Sequence, residues 1–240
     1  MINYKIHLKY DGTNYFGFAI QNNYRTIQGS LQMVLTDIFK EKISIVGSGR
    51  TDRGVHANEQ VISFTNKKEF NLIALKKIIN NKIDNDIEII KVETIDINFN
   101  ARFSAKSKTY KYIINNGDFN IFKKNYQSYI FKEINVNKMI DSSNIFLGEH
   151  NFLSFSTSIK INNIRTINSI IIKKDSNKII TLEINANGFL RHMARMIVAK
   201  LISIGIGKED NIEYLLKNPK KGSSIFKAEP QGLYLNTIIY

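Results

Sequence analysis

The spacing of apolar residues predicts both strands and helices in the first half of the chain. Residues 2–10 alternate between apolar and polar side chains, which is the pattern of a half-buried strand. Thr26 is a suitable helix N-cap, because apolar residues recur at helical spacing after it, from Leu31 to Ile38. The other elements predicted in this half are strands over residues 43–46, 60–65 and 86–95 and a helix over residues 71–81.

The second half predicts a similar mixture of elements. Residues 107–115 form an alternating strand that would place Tyr110 and Tyr112 on one face. Two apolar runs on either side of Asp-Ser-Asn at residues 175–177 predict a β-hairpin. The other elements predicted in this half are a helix that begins at Asn135, helices over residues 189–204 and 209–216, and a closing strand over residues 233–239.

This order of elements predicts an α+β fold, with helices packed on a largely antiparallel sheet. The two halves are similar and meet near residue 105. We therefore predict an N-terminal α/β lobe over residues 1–105 and a C-terminal α/β lobe over residues 106–240. No stretch rich in proline, glycine or serine separates the halves, so the sequence is compatible with one continuous sheet or with two tightly joined lobes.

Residues 47–54, Gly-Ser-Gly-Arg-Thr-Asp-Arg-Gly, hold three glycines in eight positions between two predicted strands. Glycine is unfavourable inside helices and strands, so this stretch predicts a tight loop that passes close to other backbone. The loop carries one acid, Asp52, between Arg50 and Arg53. One interpretation is that Asp52 forms an Asx turn. The other is that the arginines keep Asp52 ionised, as a nucleophile or a fixed general base requires.

Composition excludes several classes of site. The chain has 240 residues, of which 43% are hydrophobic, and this is enough for a substantial core. Because the chain has no cysteine, it can hold neither disulfides nor a thiolate ligand or nucleophile. Its four histidines lack zinc-type spacing, so we predict no metal. We find no signal-peptide pattern and no apolar run long enough to span a bilayer, which predicts a soluble cytoplasmic protein.

The net charge of +13 favours a polyanionic partner, most simply nucleic acid. Lysine, asparagine and isoleucine are all abundant, however, and drift of a genome toward A and T would supply lysines without any function. Arginine is more informative, because only seven of the 34 basic residues are arginine and its planar fork suits bidentate contacts. The seven are Arg25, Arg50, Arg53, Arg102, Arg165, Arg191 and Arg195.

Residues 106–112 interleave lysines with tyrosines. The lysines are Lys106, Lys108 and Lys111. Alternation of basic and aromatic side chains suits base stacking combined with phosphate contact. The alternative is an edge strand with tyrosines in the core and solvated lysines.

The helix predicted over residues 189–204 carries a second group of basic residues. Arg191 and Arg195 lie four positions apart, so on a helix both would face the same anionic partner. His192 lies beside them, but the sequence pairs it with no acid or serine. We therefore expect His192 to contact RNA or to pack, and not to act as an acid or base.

Several blocks of this sequence, in the same order, resemble the TruA family of tRNA pseudouridine synthases. The block around Asp52, Gly-Arg-Thr-Asp-Arg-Gly-Val-His-Ala at residues 49–57, is similar to the active-site motif of that family. The other similar blocks are residues 10–13 with 16–17, 25–29, 101–105, 110–112, 148–152, 188–195 and 232–235. Each block alone is weak, but seven collinear blocks around one aspartate favour a catalytic Asp52 over a turn residue.

This resemblance implies the pseudouridine synthase fold, with two α/β lobes and an active-site cleft between them. It implies an enzyme that breaks the N1–C1′ bond of uridine, rotates the detached uracil and rejoins it through C5. The reaction would need no metal and no cofactor. The substrate would be uridine at positions 38, 39 and 40 in the anticodon stem-loop of tRNA. The enzyme would act as a homodimer, with the tRNA crossing both subunits.

The resemblance also assigns roles to individual residues. Asp52 would be the catalytic carboxylate, and Arg195 would pair with it and keep it ionised. Tyr110 would stack on the target uracil and assist proton removal at C5, while Leu233 would pack against the base. The residues that would flip the nucleotide or bind its phosphates are Arg50 and Arg53. The residues predicted to contact RNA elsewhere are Arg102, Lys106, Lys108, Lys111, Arg191 and His192.

The sequence departs from the family pattern at several positions. Phe18 stands where Trp is usual, and Arg53 stands where Ala is usual. The remaining departures are Lys108 for Arg, Asn151 for an acid, and Glu229 and Pro230 for apolar residues. These differences leave open a related synthase that acts on ribosomal or other RNA. The alternative from another class is a non-catalytic RNA-binding protein, which would have no need of an acid at position 52.

Overall fold

The computed structural model describes residues 1–157, 162–224 and 226–240. The chain forms two compact units. The first comprises Met1–Lys106 and Tyr234–Tyr240, and the second comprises Ser107–Leu233. The division into lobes at residue 105 stays a prediction, but the structure places the closing strand with the first unit and not with the second.

The first unit is built on a largely antiparallel sheet. Its strands are β1 (Ile2–Tyr10), β2 (Val46–Gly47), β3 (His56–Asn66), β4 (Ile87–Ile95) and, from Tyr234 onward, the closing strand β10 (Leu233–Ile239). Both β4 and β3 pair antiparallel with β1, and β2 pairs antiparallel with β3. The closing strand is parallel to β3 and pairs with it at His56 and Ala57. This pairing fixes the end of β3 that follows the glycine-rich loop.

Two helices cover this sheet. In α1 (Ile27–Phe39), the predicted N-cap is confirmed, because Thr26 Oγ1 accepts a hydrogen bond from the Gly29 N–H at 3.2 Å. Asn71 caps α2 (Leu72–Lys82) in the same way. The apolar face of α2 is narrower than its sequence suggests, since Leu75 and Ile79 are buried but Ile78 is exposed. At 100° per residue, Ile78 falls at the flank of the face that Leu75 and Ile79 define.

The apolar run before the glycine-rich loop forms a shorter strand than predicted. Only β2 joins the sheet, whereas we predicted a strand over residues 43–46. Ile43 and Ile45 are nevertheless buried. Their backbone N–H groups donate to Thr36 Oγ1 and Gln32 Oε1 of α1, at 3.1 and 3.2 Å. Helix side chains therefore satisfy the donors that a strand partner would have taken.

The strands of the second unit are mostly antiparallel. They are β5 (Ser107–Asn115), β6 (Ser128–Tyr129), β7 (Gly148–Asn151), β8 (Ile164–Lys174) and β9 (Ile179–Ala186). β5, β9, β8 and β7 follow one another in antiparallel pairs, and β6 lies parallel to β5. The predicted hairpin is confirmed as β8–β9, and the predicted shared face of β5 is confirmed because Tyr110 and Tyr112 are both buried.

Three helices belong to the second unit. They are α3 (Val136–Ser143), α4 (Met193–Gly205) and α5 (Ile212–Lys217). The cap predicted at Asn135 is confirmed. Helix α4 begins four residues later than predicted, because His192 has a left-handed backbone with φ of 65° that an α-helix cannot contain. None of the helices in the described ranges is long and apolar enough to cross a membrane.

Candidate active site

Two glycines bring the turn after β1 into backbone contact with the loop that carries Asp52. A Cβ atom on Gly17 would lie 2.7 Å from the carbonyl oxygen of Thr51, and Gly17 also has a positive φ of 95°. A Cβ atom on Gly12 would lie 2.0 Å from the carbonyl oxygen of Val55. The Phe18 N–H donates to the Thr51 carbonyl at 3.0 Å. Only glycine allows the two segments to lie this close together.

Buried polar side chains hold the loop from the other side. Ser48 Oγ lies 2.6 Å from Gln60 Oε1, and Gln60 Nε2 donates to the Gly49 carbonyl at 2.9 Å. The Tyr10 hydroxyl lies 2.8 Å from Thr51 Oγ1. Burial raises the pKa of Tyr10 to about 12, although its hydrogen bonds with Thr51 and Gln60 act in the opposite direction. Tyr10 therefore stays protonated at neutral pH and supports Thr51 as a neutral group.

His56, directly after the loop, connects it to the turn at Asp11 and Gly12. The ring is buried, and its Nδ1 lies 3.0 Å from the Gly12 nitrogen and 3.1 Å from Asp11 Oδ1. A neutral ring with its proton on Nε2 accepts from the Gly12 N–H, whereas a proton on Nδ1 would be donated to Asp11. The ring also stacks on Tyr234 of the closing strand, with centroids 4.7 Å apart. In either tautomer, His56 joins three segments of the first unit.

The charged residues of the loop differ in exposure. Asp52 is half-buried, whereas Arg50 and Arg53 are exposed. The Asp52 carbonyl accepts a hydrogen bond from the Val55 N–H at 3.2 Å, which closes a tight turn with main-chain atoms. Asp52 therefore reaches solvent from a loop whose backbone is fixed on both sides. Such a carboxylate is placed where a polyanion bound at the surface could meet it.

Arg53 ends a stack of aromatic side chains. Its guanidinium lies over the ring of Phe16, with 4.3 Å between the guanidinium carbon and the ring centroid. Phe16 stacks on Tyr24, with centroids 4.1 Å apart. The stack sets the direction of Arg53 from a turn that is distant in sequence. The sequence analysis did not predict this contact of Arg53.

Arg25 anchors the segment that precedes α1. Its guanidinium forms two hydrogen bonds with the Asp86 carboxylate, both 2.9 Å, and an ion pair with Asp84 at 3.0 Å. It also lies over the ring of Tyr15, whose hydroxyl donates to Asp86 at 2.5 Å. Burial and then Asp86 raise the pKa of Tyr15. Burial opposes ionisation of Asp84, but Arg25 outweighs it and lowers the pKa of that carboxyl.

These acids line an open pocket together with Asp11 and Asn85. In the part of the chain that the structure describes, no group of three or more His, Cys, Asp or Glu is arranged to hold a metal ion. Two acids of the pocket, Asp84 and Asp86, are paired with Arg25. We therefore regard it as a structural support of the first unit.

In the second unit, Tyr110 lies on β5 with its ring buried and edge-to-face against Phe189. The two centroids are 4.8 Å apart and the rings are nearly perpendicular, at 85°. Tyr112 lies two residues along the same face, and its hydroxyl donates to the Glu229 carbonyl at 2.9 Å. Burial raises the pKa of Tyr112, against the opposing effects of a Ser128 hydrogen bond and the Arg195 charge.

Arg195 lies in the first turns of α4 and is half-buried. Its Nε donates to the Ala228 carbonyl at 2.7 Å, and its own carbonyl accepts from the Ala228 N–H at 3.0 Å. This two-way contact fixes the guanidinium relative to the segment before β10. A Cβ atom on Gly232 would lie 2.8 Å from the Tyr112 ring, so that segment also packs closely on β5. Leu233, which follows, is buried.

The predicted pairing of Arg191 with Arg195 on one helix is wrong. Arg191 precedes α4 and is exposed. Its carbonyl accepts a hydrogen bond from the Thr157 N–H at 3.4 Å. His192 is half-buried, and its Nδ1 lies 2.5 Å from Thr157 Oγ1. Arg191 and Arg195 therefore lie in different local structures, Arg191 in a turn and Arg195 in a helix.

The lysines of residues 106–112 do not form one surface. On β5, Lys108 shares the face of Tyr110, whereas Lys111 lies on the opposite face and is directly across from Glu183 of β9. Lys106 belongs to the first unit, where its N–H donates to the Ile239 carbonyl at 2.8 Å. Arg102 is exposed in the same unit, and its guanidinium lies 5.2 Å from the ring of Phe103.

Two residues that hold predicted functional residues in place, one in each unit, were not predicted from the sequence. Gln60 lies within a predicted strand, and nothing in the pattern indicates that its amide turns toward the loop. Ala228 acts through its backbone groups, which no side-chain pattern reveals. The sequence did indicate that the glycines are important, because they lie in blocks that resemble a known family.

Comparison with known proteins identifies the family. The family model described as tRNA pseudouridine synthase matches residues 6–104 and 143–240. The chain belongs to the tRNA pseudouridine synthase family. It is therefore an isomerase of tRNA uridine, as the blocks around Asp52 predicted, and the alternative of a non-catalytic RNA-binding protein is excluded.

Curated members of this family match the whole chain. The chain is 43% identical to the tRNA pseudouridine synthase A of Ureaplasma parvum serovar 3, over 100% of both chains. It is 44% identical to that of Malacoplasma penetrans, over 99% of both, and 38% identical to that of a Thermoanaerobacter species, over 100% of both. A solved H/ACA RNP with substrate RNA matches at a TM-score of 0.34 and 11% identity, over 84% of this chain and 53% of that chain.

Proposed function

We propose that this synthase converts uridine to pseudouridine at positions 38, 39 and 40 of the tRNA anticodon stem-loop. Relatives that match the full length of the chain and are named tRNA pseudouridine synthase A support the assignment. The proposed reaction breaks the N1–C1′ bond and forms a C5–C1′ bond. The proton on C5 is lost and N1 takes one up, so that the product is an isomer of the substrate.

The observation that carries the proposal is the position of Asp52. Asp52 is half-buried on a loop that Gly17 contacts closely through backbone and that Gln60 holds through a side-chain hydrogen bond to Gly49. Arg50 and Arg53, which are exposed, flank it in the sequence. Flanking guanidinium groups favour the ionised carboxylate and attract the RNA backbone at the same time. Asp52 is the proposed catalytic carboxylate, whether it attacks the base or the ribose C1′.

Three residues of the second unit have proposed roles at the base. Tyr110 is proposed to stack on the uracil and assist removal of the C5 proton, and Leu233 to pack against the base. Arg195 is proposed to act with Asp52 as its guanidinium partner. The contact of Arg195 with Ala228 supports this role, because a guanidinium held by backbone atoms needs little reordering when charge develops.

Other basic residues are proposed to bind the RNA. Flipping a nucleotide costs a few kcal/mol of lost stacking, and contacts from Arg50 and Arg53 would offset it. The residues proposed to contact the RNA elsewhere are Arg102, Lys106, Lys108, Lys111, Arg191 and His192. We also propose that the enzyme works as a homodimer in the cytoplasm without a metal or cofactor, as the family resemblance implies.

The test is to map pseudouridine at base resolution in tRNA incubated with the purified enzyme and with the variant Asp52→Asn. We expect the wild type to modify positions 38, 39 and 40 and the variant to leave them as uridine. The amide has nearly the same shape as the carboxylate but cannot act as a nucleophile or a base at neutral pH. The variant should bind tRNA with nearly wild-type affinity.

Asp141→Asn is the matched control, because Asp141 is an exposed carboxylate on α3. It should retain full activity. Modification of uridines outside the anticodon stem-loop would overturn the assigned positions. Full activity of Asp52→Asn would overturn the assigned catalytic residue.

A further inference from the structure

Residues 119–132, which we call the aromatic segment, expose several large apolar side chains. Phe122 is 86% exposed and Phe131 is 79% exposed. Phe119 and Ile121 are more than half exposed as well. The segment lies in the second unit, outside the ranges 6–104 and 143–240 that the family model matches. The family model therefore does not cover these exposed rings.

Hydrogen bonds to Tyr129 fix the first part of the aromatic segment. The Tyr129 hydroxyl donates to the Asn120 carbonyl at 2.8 Å and accepts from the Asn120 N–H at 3.1 Å and from Gln127 Nε2 at 2.6 Å. Asn120 Oδ1 also accepts from the Phe122 N–H at 2.9 Å, which caps a short 3₁₀ turn over Ile121–Lys123. Phe122 therefore extends into solvent from an ordered turn.

Asn116 fixes the second part in the same manner. Its Nδ2 donates to the carbonyls of Ile130 and Lys132, at 2.6 and 2.7 Å. Its Oδ1 accepts from the Ile134 N–H at 3.2 Å. The two carbonyls flank Phe131, so the backbone that presents this ring is held on both sides. A ring that is ordered but exposed is ready to stack on a partner with little loss of conformational entropy.

Charge identifies the class of partner. Residues 119–132 contain Lys123, Lys124 and Lys132, all exposed, and no acidic residue. Aromatic rings interleaved with lysines are the combination that binds unpaired nucleotides, since the rings stack on bases and the lysines contact phosphates. A second copy of the chain is a poorer match, because a two-fold interface would bring lysine against lysine and lysine is depleted in protein interfaces.

We propose that the aromatic segment is a second tRNA-binding site, which stacks unpaired bases on Phe122 and Phe131. Bases within a duplex are already stacked on their neighbours, so the site would take nucleotides from a loop or from the single-stranded 3′ end. It would be an accessory site that adds affinity without taking part in the reaction. The inference takes the tRNA substrate from the family and does not depend on which uridine is modified.

The test compares the full-length double variant Phe122→Ala/Phe131→Ala with Tyr214→Ala. Tyr214 is an exposed aromatic residue on α5 of the same unit, 65% exposed, and serves as the matched control. Equilibrium affinity is measured by fluorescence anisotropy for tRNA, for a single-stranded oligouridine and for a blunt RNA duplex. Each lost stack should weaken binding about tenfold.

We expect the double variant to bind tRNA and oligouridine about 10- to 100-fold more weakly, to bind the duplex normally, and to retain kcat at saturating tRNA. Tyr214→Ala should bind all three RNAs normally. Wild-type affinity of the double variant for tRNA would overturn the proposal, as would an equal loss for the duplex.

Sedimentation analysis of the same proteins tests the alternative that a second copy of the chain binds the aromatic segment. Dissociation of a dimer by the double variant, with unchanged RNA affinity per subunit, would overturn the proposal in favour of an interface between copies. If the proposed target positions were wrong, the map of pseudouridine made with the wild-type enzyme would show it instead. The two proposals can therefore fail separately.

Discussion

Gly17 shows how one residue without a side chain determines the position of the loop that carries Asp52. It has a φ of 95°, and its Cα faces the backbone of residues 51–53 with no room for a methyl group. Both properties require glycine, one because of backbone conformation and the other because of space. The loop that carries Asp52 can therefore take its position partly because Gly17 has no side chain.

We predict that Gly17→Ala greatly reduces turnover. The left-handed conformation should cost about 1–2 kcal/mol of folding free energy, and the added methyl group would displace Thr51 and Asp52. Misplacing a catalytic group by about 1 Å lowers rates about 100-fold. The measurements are single-turnover pseudouridine formation and the thermal midpoint.

Gly207→Ala separates the two effects of Gly17→Ala. Gly207 has a nearly identical φ of 92°, and a Cβ atom there would meet no atom within 4 Å. The Gly207→Ala variant should lose as much stability as Gly17→Ala loses through its backbone conformation, but it should keep its turnover. If both variants lose stability and neither loses turnover, the packing of Gly17 against the loop has no role in catalysis.

The sequence could predict the residues of the site only in part. The surrounding family blocks favoured a catalytic Asp52 over a turn residue, whereas a single acid in a glycine-rich loop alone has several explanations. The contact of Arg195 with the Ala228 carbonyl could not be predicted, since a backbone oxygen is the same at every residue. The helical pairing of Arg191 failed because His192 adopts a left-handed conformation that its residue type does not reveal.

At the next scale, the segment between β1 and α1 acts as one element because Arg25 ties it to β4. Arg25 pairs with Asp86 and Asp84 near the start of that strand, and Tyr15 packs under the guanidinium. The same segment contains Gly17, which contacts the loop that carries Asp52. The ion pair therefore supports the site through an intervening element.

We predict that Arg25→Ala lowers the free energy of unfolding by about 1–2 kcal/mol, less than a buried pair would give because Arg25 is partly exposed. Arg25→Lys should recover only part of this loss, since lysine cannot bond both carboxylate oxygens in one plane. Chemical denaturation monitored by circular dichroism measures both.

Lys9→Ala is the control for Arg25→Ala, because Lys9 forms a surface ion pair with Glu88 at 2.8 Å on neighbouring strands. It should cost no more than about 0.5 kcal/mol. Equal losses for Lys9→Ala and Arg25→Ala would contradict the structural role given to Arg25.

Periodicity predicted most elements well, with β5 and the hairpin β8–β9 among the clearest cases. Their alternation is regular, and tertiary contacts did not override it. The strand predicted over residues 43–46 did not form over its predicted length. Side chains of α1 accept the hydrogen bonds of its backbone N–H groups in place of a neighbouring strand. Element boundaries depend on such partners, which lie far away in sequence.

Across the whole molecule, the net charge of +13 had two explanations, RNA binding and drift in composition. Membership of the tRNA pseudouridine synthase family supports the first. The division into two units shows what composition cannot, namely that residues 234–240 belong with the first unit. Pairing between distant strands leaves no local pattern.

We predict that tRNA affinity falls steeply with salt, by about 1000-fold between 50 and 200 mM if about six phosphates are contacted. The physical reason is the release of counterions from the RNA when basic side chains neutralise phosphates. The measurement is a plot of log affinity against log salt concentration, with the thermal midpoint recorded at each salt concentration to show that the protein stays folded.

Two variants show which charges contribute to this slope. Arg53→Gln should reduce it by about 0.7–0.9, the value for one phosphate contact, whereas Lys77→Gln on the outer face of α2 should leave it unchanged. A flat salt response of the wild type would mean that most of the charge is unrelated to RNA.

The parallel pairing of β10 with β3 has a consequence for how the protein is made. His56 and Ala57, directly after the loop that carries Asp52, receive their strand neighbours from Tyr234 and Leu235. On the ribosome, the 127 residues of Ser107–Leu233 are therefore synthesised before the strand that completes the first unit. Until Tyr234 and Leu235 have been added, this end of β3 lacks its parallel neighbour, so the sheet beside Asp52 is completed late in synthesis.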